Sequence, residues 1–213
     1  MREKKPDKRK VQGLETRKRL YEIAEKLFAE RDSSSVSVEE ITDEAGITKG
    51  AFYVHFASKD ALIAQLIADH ASRADTDYRK FLETLPDKMP AEDILIALIE
   101  KITDVLTGTI GCDNMKKTYQ MMLSGTVDTN AVKGYSRELY TLFQSVLERG
   151  IQNGEFVCSL PVDILSRHFV TAIRGISYEW CVRNPDFHLK EEAVTHFKLL
   201  LEGIKNRESA KES

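Results

Sequence analysis

Apolar residues recur at helical spacing along most of this 213-residue chain, and no segment shows the alternating pattern of a β-strand. The first clear stripe runs from Leu14 to Arg31, with apolar residues on one side and charged residues opposite. Ser37, Thr48 and Ser58 each precede a helical segment and can cap its N-terminus, because their side-chain oxygens accept hydrogen bonds from backbone N–H groups. The pattern predicts an all-α protein.

The same periodicity continues beyond Pro90, with breaks where Gly and Pro occur. The helices predicted there are Glu92–Leu106, Met115–Leu123, Asn130–Asn153, Pro161–Arg183 and Leu189–Arg207. We expect about nine helices in total, as an N-terminal three-helix domain followed by a larger helical domain. The predicted boundaries are a basic disordered arm over residues 1–13, a small domain over 14–74, a larger domain over 75–207 and a frayed tail over 208–213.

Residues 37–56 carry the most specific motif of the chain. Two short helical stretches meet at Ala45-Gly46-Ile47, where the glycine supplies the permissive backbone that a sharp turn needs. In the second stretch Phe52 and Phe56 lie four positions apart, so both point into a core. This arrangement predicts a helix-turn-helix, whose second helix enters the major groove of DNA.

The face opposite those phenylalanines is predicted to contact DNA in two ways. Small residues let the backbone approach the groove, Lys49 can reach guanine O6 or N7, and Ala51 can touch a thymine methyl group. Hydroxyl, imidazole and ammonium groups nearby can bind phosphates, which fixes the register on DNA. Each polar residue also has a structural alternative, as a half-buried aromatic, a core histidine or a solvated lysine. The predicted DNA-binding residues are Ser37, Thr48, Lys49, Gly50, Ala51, Tyr53, His55 and Lys59.

The segment ITDEAGITKGAFYVHFASKDALI resembles the TetR family of bacterial transcriptional regulators. The family pattern has a glycine turn, a recognition helix of small residues, Tyr-x-His-Phe and a following lysine, and the resemblance covers Leu14 to Ala74. It implies three N-terminal DNA-binding helices and a divergent C-terminal domain for dimerisation and ligand binding. Val54 departs from the pattern, because the family often has an aromatic residue there. Carried over by position, the DNA-contacting residues would be Lys49, Gly50, Ala51, Tyr53, His55 and Lys59.

The last two predicted helices offer more apolar surface than two terminal helices need within one subunit. Gly175 would permit a close helix approach, so two copies could form a four-helix bundle with two-fold symmetry. Packing inside one subunit is the alternative. The predicted dimer residues are Phe169, Ile173, Ile176, Trp180, Phe197, Leu200, Leu201 and Ile204.

Methionine and aromatic side chains in the larger domain suit an adaptable apolar pocket for a small-molecule effector. Tyr119 or His168 would supply its polar anchors. Ordinary core packing is the alternative for such a set. The predicted pocket residues are Met115, Tyr119, Met122, Phe143 and His168.

Charge is unevenly distributed along the chain. Residues 1–59 hold 13 Lys and Arg against 11 Asp and Glu, whereas the whole chain has a net charge of −3. Six of the first ten residues are basic, which fits either a solubilising tail or an arm that contacts DNA. Basic character therefore lies where the helix-turn-helix would use it.

Other function classes find no support in the sequence. The three cysteines form no CxxC pair, so we expect neither a disulfide framework nor a metal site. We expect no cofactor either. Motifs of hydrolases, phosphate loops and zinc proteases are missing, which argues against an enzyme. The chain has no bilayer-spanning apolar run and no signal peptide, so we expect a cytoplasmic protein with no membrane partner. The predicted function is a homodimeric, ligand-responsive regulator, most simply a repressor on a palindromic operator; the alternative is a constitutive or architectural DNA-binding protein without a ligand.

Overall fold

The computed structural model describes residues 8–31 and 35–206. These residues form ten α-helices and one π-helical segment, and they hold no β-strand beyond one isolated bridge between Phe156 and Lys205. The predicted all-α fold is confirmed. The helices are α1 (Lys8–Glu30), α2 (Val38–Ala45), α3 (Lys49–His55), α4 (Lys59–Glu83), α5 (Ala91–Asp104), π1 (Val105–Ile110), α6 (Cys112–Ser124), α7 (Asn130–Lys133), α8 (Glu138–Gln152), α9 (Val162–Arg183) and α10 (Leu189–Glu202).

Two hydrophobic cores organise these helices. The smaller core joins α1, α2 and α3 to the first half of α4, through residues such as Leu20, Phe52 and Leu62. The larger core lies among α5, α8, α9 and α10, and α4 reaches it through Tyr78. Helix α4 therefore belongs to both cores and connects them. No helix within the described ranges is long and apolar enough to cross a bilayer.

Helix α1 begins at Lys8, ahead of the predicted start at Leu14. Residues 8–13 contain no Pro, and Gly13 lowers the stability of the helix by only about 1 kcal/mol relative to alanine, so the helix can extend towards the N-terminus. Residues 8–13 of the arm predicted to be disordered are thus helical. Residues 1–7 of that arm and the predicted tail lie outside the described residues.

The single helix predicted over 130–153 is wrong, because the chain leaves the helix between α7 and α8. A Cβ on Gly134 would lie only 2.6 Å from the carbonyl oxygen of Asn130, which marks how tightly the chain turns there. Arg137 then directs its guanidinium to the carboxylate of Asp75 on α4, with 2.9 Å between Nε and Oδ2 and 2.7 Å between Nη2 and Oδ1. The same carboxylate accepts the backbone N–H of Leu139 at 3.3 Å. One buried side chain on α4 therefore fixes where α8 begins.

Helix α6 has no buried residue, although it packs against α9 and π1, and the short α7 that follows it has none either. It is bounded by Gly111 and Gly125, whose φ angles of 79° and 65° lie in the region that favours glycine. Before it, π1 interrupts the regular helix that α5 begins, and such segments are weaker than a continuous α-helix. Helix α6 is therefore only partly buried against the larger core.

Candidate nucleic-acid interface and effector cavity

The turn between α2 and α3 is fixed by local hydrogen bonds, as the sequence predicts. Ser37 caps α2 by accepting the N–H of Glu40 at 3.1 Å, and Thr48 caps α3 by accepting the N–H of Ala51 at 3.3 Å. Gly46 ends α2 with a φ of 63° and donates its N–H back into the helix. Helix α3 therefore leaves α2 at a defined angle, which a helix-turn-helix requires.

The two faces of α3 have opposite characters. Phe52 is completely buried and packs on Phe56, whereas the side chains of Tyr53 and Val54 are 50% and 80% exposed. Gly50 is also exposed, and a Cβ built on it would meet only the Thr48 hydroxyl, at 3.8 Å. A glycine inside a helix costs about 1 kcal/mol relative to alanine, and nothing within the chain requires this one. The space it leaves faces outward, where DNA would approach.

Lys49 begins α3 and is already paired. Its ammonium group binds the carboxylate of Glu39, in the first turn of α2. This hydrogen bond holds the pKa of the Glu39 carboxyl below its usual value and the pKa of Lys49 above its own. Both side chains remain half exposed. A base contact by Lys49 would therefore have to compete with Glu39.

The other predicted phosphate-binding groups are tied more closely to the fold. Lys59 is half-buried and donates from Nζ to the carbonyl oxygen of Val36 at 3.0 Å, which joins the start of α4 to the segment before α2. His55 is half-buried beside α1, and a Cβ on Gly13 would lie 4.0 Å from its Cε1 atom. Tyr53 packs edge-on against Phe52 with the rest of its ring exposed. Lys59 and His55 thus have structural roles here, and the DNA contacts stay predictions.

A cavity of about 70 Å³ lies inside the larger domain. Three of the predicted pocket residues, Met115, Tyr119 and Met122, line it. Burial raises the pKa of Tyr119 to about 12, and its hydroxyl donates to the carbonyl oxygen of Arg174 at 3.0 Å. The residues around the cavity are Tyr78, Ile102, Leu106, Met115, Thr118, Tyr119, Met122, Val132, Arg137, Leu139, Ile173, Arg174 and Ser177.

The other two predicted pocket residues, Phe143 and His168, do not line this cavity. Phe143 is fully buried in an aromatic cluster, with its ring centroid 5.9 Å from that of Phe169 and 6.4 Å from that of Phe197. His168 lies exposed on the surface of α9. The helical pattern places Phe143 on α8 and His168 on α9, but it does not show which side of each helix meets the cavity.

The predicted dimer residues also need correction. Helices α9 and α10 pack on α5 and α8 of the same chain, and this packing uses the apolar stripes on which the prediction rested. Three of the eight, Ile176, Leu200 and Ile204, are half-buried. The other five are buried within the chain and are therefore not available to a partner: Phe169, Ile173, Trp180, Phe197 and Leu201.

A different stripe of α9 is exposed. It consists of residues spaced alternately by three and four positions, which places them on one face of the helix. On α10, Leu199 is exposed with 69% of its surface accessible. The stripe on α9 consists of His168, Thr171, Gly175, Tyr178 and Val182.

The smaller core and its helix-turn-helix match a known family. The family described as "Bacterial regulatory proteins, tetR family" matches residues 20–66, from the middle of α1 into α4. The DNA-binding region of the chain therefore matches the TetR family.

Similarity extends beyond the matched segment. The chain is 26% identical over 209 residues to the HTH-type transcriptional regulator AcrR of Shigella flexneri, covering 92% of each chain. It is 23% identical over 194 residues to the HTH-type transcriptional repressor KstR2 of Mycolicibacterium smegmatis, covering 91% of this chain and 92% of that one. The crystal structure of FadR from Bacillus subtilis in complex with stearoyl-CoA shares the fold, with a TM-score of 0.66 and 21% identity over 87% of this chain and 98% of that one. Together these similarities indicate a TetR-family transcriptional regulator.

Two further groups of contacts involve α1: one holds it to α4 within the small domain, and the other joins its end to α6 of the larger domain. On α1, Glu25 binds His70 and Arg73 of α4, at 2.7 and 2.8 Å, and these hydrogen bonds lower the pKa of the Glu25 carboxyl. On α6, Lys117 donates from Nζ to the carbonyl oxygens of Phe28 and Arg31 at 3.5 and 3.3 Å. Those carbonyls lie at the end of α1, where a helix has unpaired acceptors and a partial negative charge. Sequence reasoning missed these contacts, because their partners are distant in the chain.

Proposed function

We propose that this protein is a homodimeric repressor that binds a palindromic operator through α3 and is released by a small effector bound in the larger domain. The outward face of α3 carries the proposal. It exposes Val54 and half of Tyr53, keeps Lys49 at the helix start, and leaves open space at Gly50 that the fold itself does not need. These are the features that a helix in the major groove requires.

The proposed dimer uses the exposed stripe of α9 together with Leu199 of α10. Gly175 stands at the middle of that stripe, and a Cβ there would meet nothing within 4 Å. A glycine inside a helix, with open space around it, has no structural purpose in one chain, but it lets a second helix approach closely. A two-fold axis at this face would give two reading heads, which a palindromic operator requires.

Release by an effector would act through α6. The cavity of about 70 Å³ is smaller than the roughly 300–1,000 Å³ of typical small-molecule pockets, so a ligand must enlarge it. Helix α6 carries Met115 and Tyr119 on the cavity, has no buried residue, and is flanked by glycines that permit movement. Because Lys117 on the same helix binds the end of α1, displacing α6 would change how the small domain is held. An effector shifts this equilibrium only by binding the displaced state more tightly.

Selection of bound sites from random DNA tests the proposal. We expect a palindrome whose half-sites lie about one helical turn, roughly 34–36 Å, apart or a multiple of it. Lys49→Ala should relax the base preference at one position of each half-site, and Tyr53→Phe should weaken binding to all sequences alike. Selected sites without two-fold symmetry would argue against the dimer, and equal losses on cognate and random DNA for Lys49→Ala would remove its base-reading role.

One observation favours a second candidate function, a DNA-binding protein that senses no ligand. The small volume of the cavity is the volume expected of ordinary core packing around methionines. A panel of small molecules followed by thermal unfolding and operator binding separates the two functions. If no compound changes either the melting temperature or the operator affinity, the constitutive function is the better description.

A further inference from the structure

Two arginines contribute to the cavity wall, and their charges are balanced differently. Arg137 is neutralised by the bidentate carboxylate of Asp75. Arg174, on α9, donates instead to the carbonyl oxygen of Val132, and its Cζ atom lies 5.6 Å from the ring centroid of Tyr140. Within residues 8–31 and 35–206, no carboxylate oxygen lies within 4.0 Å of the nitrogens of this guanidinium. The wall therefore carries one positive charge whose neighbours are neutral.

Three of the four hydroxyl groups that line the cavity already donate their proton within the chain. Tyr119 donates to Arg174, Thr118 donates to the carbonyl oxygen of Asn114 at 2.9 Å, and Ser177 donates to that of Ile173 at 2.7 Å. A hydroxyl has a single proton, so each of these groups can only accept a further hydrogen bond. Arg174 has five N–H donors, of which those on Nη2 face Val132. It is the natural partner for a ligand acceptor.

The rest of the lining is mainly apolar, with Met115, Met122 and Leu106 among its members. A half-buried charge beside such a surface lacks the solvation that water would provide, and a carboxylate would stabilise it. Hydrogen bonds between a guanidinium and a carboxylate are short, paired and stronger than those to a neutral carbonyl. A carboxylate can therefore displace the carbonyl of Val132 from Arg174, whereas a neutral ligand leaves the charge uncompensated.

We propose that the effector is an amphiphile with an apolar body and a carboxylate, and that Arg174 is the residue that selects for the carboxylate. This inference rests on the proposed ligand-responsive function and adds to it the chemical class of the ligand. The apolar body would occupy the methionine-lined space between α6 and α5, and the carboxylate would pair with the guanidinium at the α9 side. The specificity is electrostatic, so it separates ligands of equal size and opposite charge.

Three ten-carbon probes test the proposal: decanoate, 1-decanol and decyltrimethylammonium. Binding to the full chain is measured by titration calorimetry, with the wild type, Arg174→Gln, Arg174→Lys and Arg167→Gln. Arg167 is a matched control, because it lies on the same helix but does not line the cavity. Its Nη2 atom lies 3.3 Å from Oδ2 of Asp163, and its Cζ atom lies 4.5 Å from the ring centroid of Tyr135. We expect decanoate to bind about 10- to 100-fold more tightly than 1-decanol, which is the effect of a charge-assisted hydrogen bond.

Arg174→Gln should abolish that preference by weakening decanoate while leaving 1-decanol nearly unchanged, and Arg167→Gln should preserve it. If Arg174→Gln fails to bind 1-decanol as well, the Arg174→Lys variant, which keeps the positive charge, provides the test. A preference of Arg174→Lys for decanoate supports the proposal, and the loss of that preference overturns it. Equal binding of decanoate and 1-decanol by the wild type, or no binding of either, also overturns it.

The operator assay separates this inference from the proposed function. Decanoate that binds through Arg174 but leaves operator affinity unchanged supports the carboxylate site and contradicts release by this ligand class. A different, uncharged compound that releases the operator supports the ligand-responsive repressor and contradicts the carboxylate site.

Discussion

The buried ion pair between Asp75 and Arg137 gives the most direct prediction of stability. The side chains are 3% and 14% exposed, so both charges are largely removed from water. The carboxylate of Asp75 accepts from Nε and Nη2 of Arg137 and from the backbone N–H of Leu139. Asp75→Asn keeps the shape of the side chain but removes its charge and one of its two acceptor oxygens. The guanidinium then stays buried without a counter-charge.

The size of the effect follows from that geometry. Removing one partner of a buried pair costs about 3–5 kcal/mol, and we expect the lower limit because asparagine still accepts one hydrogen bond. For a domain of about 150–250 residues each kcal/mol lowers the melting temperature by about 2–4 °C, so the expected loss is about 6–12 °C. Asp77 on the same helix is the matched control. Its pair with Lys101, at 2.7 Å, joins side chains that are 53% and 28% exposed, and Asp77→Asn should cost less than about 1 kcal/mol.

Thermal and urea unfolding of the wild type, Asp75→Asn and Asp77→Asn measures the difference. The double variant Asp75→Leu with Arg137→Leu is the decisive companion, because replacing both charges by apolar groups removes the unpaired guanidinium and should recover much of the loss. If Asp75→Asn unfolds at the same temperature as Asp77→Asn, the pair does not hold α4 to α8 and the reasoning is refuted.

Three further predictions concern function. Glu39→Gln frees Lys49 from its ion pair, so we expect operator affinity at low salt to rise by about 2- to 5-fold, measured by fluorescence anisotropy. Gly175→Ala and then Gly175→Leu fill the open space on α9, so the dimer should weaken progressively in sedimentation equilibrium while the single chain stays folded. Burial raises the pKa of Cys181 to about 12 from 9.0, which lowers its thiolate fraction at pH 8 by roughly 10³-fold. Labelling of Cys181 by iodoacetamide should therefore be slow, and it should accelerate when an effector displaces α6.

Each of these has an outcome that contradicts it. Glu44, at the other end of α2 and paired with Lys26 at 3.1 Å, is the control for Glu39, and an equal gain from Glu44→Gln would mean that only total charge matters. A Gly175→Leu protein that sediments as the wild-type dimer would move the interface elsewhere. An effector that lowers operator affinity without changing the labelling of Cys181 would exclude α6 as the moving element. Cys112→Ser and Cys158→Ser remove the two half-buried thiols that would also be labelled.

The sequence predicted the helix-turn-helix well because its determinants are local. The hydroxyls of Ser37 and Thr48 bind backbone N–H groups three residues ahead, and Gly46 takes the left-handed conformation that its position predicts. The pairing of Phe52 with Phe56 spans one helical turn. Interactions of this kind are complete within a few residues, so the pattern of residue types is enough to identify them.

The proposed dimer surface and the cavity wall are harder to predict, because both depend on packing between distant segments. Phe169 belongs to an apolar stripe on α9, and Phe197 belongs to one on α10. Each stripe shows that a helix face is buried, but not whether the same chain or a partner buries it. The exposed stripe of α9 is weakly apolar, and its main signal is the open space around Gly175, which appears only in three dimensions. Asp75 and Arg137 are likewise separated by 62 positions, and no local pattern links them.

Helix α6 is where ligand binding and DNA binding can meet. Met115 and Tyr119 face the cavity, while Lys117, between them in sequence, reaches across to the end of α1. Because these side chains are on one short helix without buried residues, we expect a ligand that displaces the helix through the first two to move the third as well. The contacts of Glu25 with α4 remain, since none of them involves α6, so the small core stays intact while its attachment to the larger domain changes. The expected response is therefore a reorientation of a folded reading head, and in a two-fold dimer this alters the spacing between the two α3 helices without unfolding either one.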